Sequence, residues 1–188
     1  MHEIFNKELN YIKNENIKNG LIIVLDILPK YFYEIPASST GKYHPEFTKG
    51  KSGLIRHTKA AVRIAYELFN NSSLNNFTDY EKDLIIFALT IHDGLKNGIE
   101  KSEYTRFDHP LLISEFIQNN KDKINLSNED IKFICECVET HMGPWTKDYQ
   151  GNDVLTEPKN KYQRFVHMCD YLASRKFLDI KFVNNDIE

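Results

Sequence analysis

The strongest constraint on this chain is a set of imidazole and carboxylate side chains lodged in apolar helical stripes. His57 follows Leu54 by three residues and precedes Ala61 by four, so a helix there turns it toward the core with them. His141 stands three residues after Val138. Asp170 stands four after Val166 and three before Ala173. His92 and Asp93 follow directly on the apolar run Leu84 to Ile91. Burying a carboxylate or a charged imidazole is costly unless the group is paired or bound to metal. One inward histidine is ordinary core; inward candidates on four separate helices call for a common partner. A divalent cation supplies it, since imidazole nitrogen and carboxylate oxygen are ligand types for Mn, Fe, Ni, Zn or Mg. Neighbours on a regular helix diverge by about 100°. His92 and Asp93 therefore reach one ion most easily at a helix end, which Gly94 is placed to make.

The pattern around these residues is helical. An N-terminal helical region runs from about residue 3 to Leu28 and stops at Pro29, with a candidate break near Asn19-Gly20. Within it, Leu21 to Leu28 is also compatible with a buried strand, because periodicity does not settle short apolar runs. A long polar segment from Glu34 to Gly53 follows. Helices are then expected from Ser52 to Asn70, and from a Thr78–Glu81 capping box to His92. A short one spans Asp108 to Asn119, another runs from Ser127 to His141, and the last from Lys161 to Leu178 with Val166, Cys169, Ala173 and Phe177 inward. These elements predict an all-α, single-domain helical bundle with the metal site between helices. Residues 1–35 form an N-terminal helical region packing on the core, and residues 36–188 form the principal domain.

At 188 residues, 41% of them hydrophobic, the chain has material for one sizeable core. Lys and Arg number 24 against 27 Asp and Glu, for a formal charge of −3 without long same-sign runs. Broad electrostatic binding to nucleic acid or membrane is thereby disfavoured. The start, Met1-His2-Glu3-Ile4, has no secretory pattern, and three cysteines without a CxxC point to a reducing, cytoplasmic setting with thiols packed as small hydrophobes.

The order His57, His92-Asp93, Asp170 resembles the H…HD…D signature of the HD-domain superfamily of metal-dependent phosphohydrolases. Ser52-Gly53-Leu54-Ile55-Arg56-His57-Thr58 is similar to its GGLLxHT opening, with Ser52 in place of the first glycine. His92-Asp93-Gly94-Leu95-Lys96 is similar to HDxGK with the glycine one position early, and Cys169 to Lys176 resembles a "DxLxSR" segment. The likeness covers about residues 36 to 178. It implies an HD-domain bundle and an enzyme that hydrolyses a phosphate ester, of a nucleotide or related small molecule, with a metal-activated water. It also implies a ligand set: His57, His92, Asp93 and Asp170 for one ion, with His109 and His141 sharing Asp93 for a second. Whether one or two ions are held stays open.

Other residues carry two readings each. His109 is a ligand, or merely the exposed start of a helix capped by Asp108 and Pro110. Lys96 stabilises the reacting phosphate alongside Asp93, or is an exposed lysine favoured by a helix dipole. Ser38, Ser39, Lys42, Tyr43 and His44 form a substrate cradle resembling the family's, or a surface loop; the spacing is not that of a P-loop. Arg175 binds phosphate or closes a helix, and Trp145 stacks a base or packs. Competing functions are a di-iron oxygenase on the same scaffold, a nucleotide-binding regulator, and, more narrowly, a 3′–5′ exoribonuclease. A homodimer is compatible with a helical domain of this size.

Overall fold

The computed structural model describes residues 1–39, 44–178 and 180–188. It is predominantly helical, as the apolar spacing requires. Helices α1 (Asn6–Leu9), α2 (Glu15–Ile27), α3 (Gly53–Phe69), α4 (Asp79–Ile91), α5 (His109–Asn119), α6 (Lys121–Ile124), α7 (Asn128–Glu139) and α8 (Lys161–Ala173) are followed by one hairpin. That hairpin, β1 (Phe182–Val183) with β2 (Asp186–Ile187), departs from the all-helical expectation, as does an isolated antiparallel bridge between Lys147 and Asp153. Its turn residues Asn184 and Asn185 both have positive φ, the conformation a two-residue hairpin turn demands.

One apolar core runs from Phe5 to Ala173. Helix α4 is buried along its length from Asp83 to Ile91, and α3, α7 and α8 pack around it. The capping box at Thr78 and Glu81 is present, and Ser127 Oγ caps α7 by accepting from Asp130 N. Both satisfy amides that a helix start leaves without partners. All three cysteines are free and buried, and burial pushes the Cys137 thiol up to about 12. No helix among the described residues is long and apolar enough to cross a membrane.

Four local expectations are corrected. The N-terminal break falls at residues 10–14, where the Asp83 carboxylate accepts from Lys13 N and Asn14 N. It does not fall at Asn19-Gly20: Gly20 lies inside α2, where a Cβ would meet Ile124 and Leu126 at 3.2 to 3.3 Å. Residues 21–27 are helical, so the strand alternative fails. Helices α4 and α7 stop short of His92 and His141, leaving both histidines in the following turns. Helix α8 ends at Ala173, and Phe177 is 77% exposed rather than on the inner stripe.

Candidate metal centre

The six inward residues meet at one point. His57 comes from the middle of α3 and Asp170 from α8; His92 and Asp93 sit just past α4. His109 begins α5, and His141 lies in the turn after α7. All but Asp170, whose side chain is 17% exposed, are essentially inaccessible.

Asp93 divides the cluster. Its Oδ1 faces His109 Nε2 at 3.0 Å and His141 Nε2 at 3.7 Å. Its Oδ2 faces His92 Nε2 at 3.5 Å, His57 Nε2 at 3.8 Å and Lys96 Nζ at 2.5 Å. Asp170 Oδ1 joins the latter side, 2.9 Å from His57 Nε2 and 3.4 Å from His92 Nε2. Donor atoms about 2.1 Å from one ion lie roughly 3 to 3.5 Å from each other, so these separations suit coordination.

The imidazole hydrogen bonds define what faces the carboxylates. Nδ1 of His92 meets Leu89 O at 2.7 Å, Nδ1 of His109 meets Arg106 O at 2.6 Å, and Nδ1 of His141 meets Val138 O at 2.7 Å. A carbonyl oxygen accepts only, so each Nδ1 carries a proton and each Nε2 is turned toward the carboxylates. His109 Nε2 and His141 Nε2 nevertheless approach to 3.1 Å, and both face a carboxylate oxygen. A contact of this kind is satisfied by a proton on one Nε2 or by a metal ion between the two. His92 Nε2 and Asp93 Oδ1 are buried with no hydrogen-bond partner, which marks the same place. The donors are those a transition metal takes, and the fixed Nδ1–H groups are the second set of contacts that ligating histidines usually make. The residues fit a divalent ion.

The electrostatics agree. Burial opposes ionisation of Asp93, but Lys96 and His92 outweigh it and hold the carboxyl well below its usual range. Asp170 is likewise held low against burial by His92 and His57. Burial would lower His92, yet Asp93 and Asp170 raise it to about 8. Burial keeps His109 below its ordinary value, and hence neutral. The two carboxylates thus draw the positive charge of Lys96 and His92 around them.

The centre floors a cavity of about 670 Å3. Ser38, Ser39, His44, Lys96, Trp145 and Arg175 line it, so the candidates from distant segments share one space. Lys42 and Tyr43 lie outside the described residues. Lys96 is 8% exposed, which removes the reading of a surface lysine, and buried His109 is no exposed helix start. Asp108 sits at the N-cap position without capping; its carboxylate accepts instead from Arg106. His44 stands edge-on to His57, ring centroids 5.5 Å apart, and burial lowers its pKa to about 3. Trp145 is exposed and stacks on Tyr171 at 6.0 Å, while the Arg175 guanidinium lies 4.2 Å over the Tyr171 ring. Sequence reasoning passed over His167, Tyr171 and Ser174, which also line the cavity. The spacing of His167, three before Asp170 on one helix face, is the signal that would have found it.

No family model, curated protein or solved structure matches this chain.

Proposed function

We propose that this chain is a metal-dependent phosphohydrolase that cleaves a phosphate ester of a nucleotide or related small molecule. The observation that carries the reading is the convergence of histidine Nε2 atoms on both oxygens of Asp93, each imidazole oriented by a backbone carbonyl. The order of His57, His92-Asp93 and Asp170 and its likeness to the HD superfamily support the same assignment. A divalent ion bound there lowers the pKa of a water and offsets charge developing on phosphoryl oxygens.

The chain's own groups supply the rest. His57, His92, Asp93 and Asp170 would hold one ion, and His109 and His141 with Asp93 would hold a second. Lys96 Nζ pairs with Asp93 at the cavity floor, placing a fixed cation where an anionic substrate group arrives. Arg175 adds positive charge at the wall, held by its stacking on Tyr171 and its donation from Nη2 to Ser174 Oγ at 2.7 Å. Trp145 and Tyr171 give a planar apolar surface suited to a base. A cavity of about 670 Å3 suits a small molecule better than a folded nucleic acid.

The test is metal content of the purified protein, then phosphate release from a nucleotide panel with Mn2+. One or two ions per chain with turnover of some nucleotide supports the proposal. Bound iron with dioxygen uptake and no phosphate release would replace it by oxidative chemistry. No bound metal would leave a cluster of core histidines and end it.

A further inference from the structure

His141 is the ligand candidate with the weakest support from its own helix. It lies two residues past the end of α7, and its backbone N–H reaches Val138 O at only 3.4 Å, near the limit of a hydrogen bond. Its imidazole is tied to α7 through Val138 O. What fixes its backbone comes from elsewhere: His167 Nδ1 donates to the His141 carbonyl at 2.7 Å.

The turn is shaped to receive that ring. Gly143 has φ of 65°, in the region that favours glycine, and a Cβ there would come within 2.2 Å of His167 Cε1 and 2.4 Å of Nε2. Trp145 packs on the outer side, its ring centroid 6.1 Å from that of His167. Glycine, imidazole and indole thus make one fitted unit, and His167 stands on the helix that carries Asp170.

We propose that His167 is a positioning residue for the His109–His141 subsite. By holding the His141 carbonyl to α8, it sets the distance between that subsite and the one containing Asp170. The inference rests on the two-subsite reading given above. An Asn side chain can place an amide N–H near where histidine has Nδ1, whereas Phe fills the space and donates nothing.

The experiment is a Co2+ titration of the metal-stripped full-length chain, followed by calorimetry and visible absorption, for wild type, His141→Ala, His167→Phe and His167→Asn. Contacts behind a ligand are commonly worth about 10- to 100-fold in metal affinity. His167→Phe is expected to weaken, by about that factor, the equivalent that His141→Ala removes and to alter its absorption, leaving the other at wild-type affinity. His167→Asn is expected to restore it. If His167→Phe does not fold, as judged by circular dichroism, His167→Leu carries the same test, being smaller than the ring and without a donor. Two equivalents bound by His167→Phe as tightly as by wild type would overturn this proposal alone. So would equal weakening of both equivalents. Wild-type protein binding fewer than two ions would overturn it together with the two-subsite reading.

Discussion

The two halves of the candidate centre are built by different means. On one side, His57 and Asp170 project from within α3 and α8, where helical phase alone aims them inward. On the other, His109 and His141 sit at a helix start and just past a helix end, each with its Nδ1 on a carbonyl three residues earlier. His92, just beyond α4, follows the second pattern while serving the first half. His92 and His141 meet a carbonyl of the last turn of the helix before them, and His109 meets Arg106 O in the segment before α5; each bond puts the proton on Nδ1. His57 lacks this support, its Nδ1 being buried without a partner. A helix interior orients a ligand by rotation and packing, a helix terminus by a hydrogen bond.

Asp93 joins the halves, so its loss tests the comparison hardest. Asp93→Ala should abolish binding of both ions and lower turnover by more than about 10³-fold, since it removes the ligand common to both and the partner of Lys96. Metal analysis and phosphate release on one sample check this, and retention of either ion would show that the halves are independent. Next in size is the split between single-side variants. His57→Ala should remove the ion on the Asp170 side and leave about one equivalent on the other, while His141→Ala should do the reverse. Identical stoichiometries for the two variants would dissolve the distinction.

Lys96 belongs to neither half as a ligand, though it contacts the bridging carboxylate. Lys96→Ala should retain the wild-type metal content and lose about 10²-fold in turnover, the size of effect expected from removing one charge that faces the reacting group. Metal loss equal to that of Asp93→Ala would instead make the lysine a structural brace for the carboxylate.

The same contrast explains what could be read from the chain. Phase exposes inward polar residues within a helix, so His57 and Asp170 stood out against Leu54, Ala61, Val166 and Ala173. The adjacency of His92 and Asp93 was legible for the converse reason, because two neighbours aim at one point only where a helix stops. Where it stops was less legible. Gly94 reads as a C-cap, yet it is not among the positive-φ glycines, and a Cβ there would sit tightly, 3.0 Å from Leu28 Cδ2 and 3.1 Å from Ile113 Cδ1 on other segments. That constraint comes from tertiary packing and leaves no local mark. The break before α2 was hidden likewise, depending on Asp83 about seventy residues downstream. His167 escaped because its role lies in a hydrogen bond to a turn on another element.

The smallest expected effect separates the halves by protons. His92, raised to about 8 by Asp93 and Asp170 against the pull of burial, holds a proton at neutral pH that an arriving ion must displace. Below about pH 8, affinity on that side should fall as pH falls, by up to about 10-fold per unit for a single displaced proton, and level off above it. His109 is kept neutral by burial, so it yields no proton to an ion arriving on its side. Its affinity should change less between pH 6.5 and 8. Calorimetry of Co2+ binding in buffers of different ionisation enthalpy counts the protons released by each equivalent. Release confined to the equivalent lost in His57→Ala would confirm that the carboxylate pair, more than the histidines, sets the proton balance of the centre. Equal release from both equivalents would mean that His109 is not kept neutral ahead of the metal, and the structural contrast would carry no chemical one.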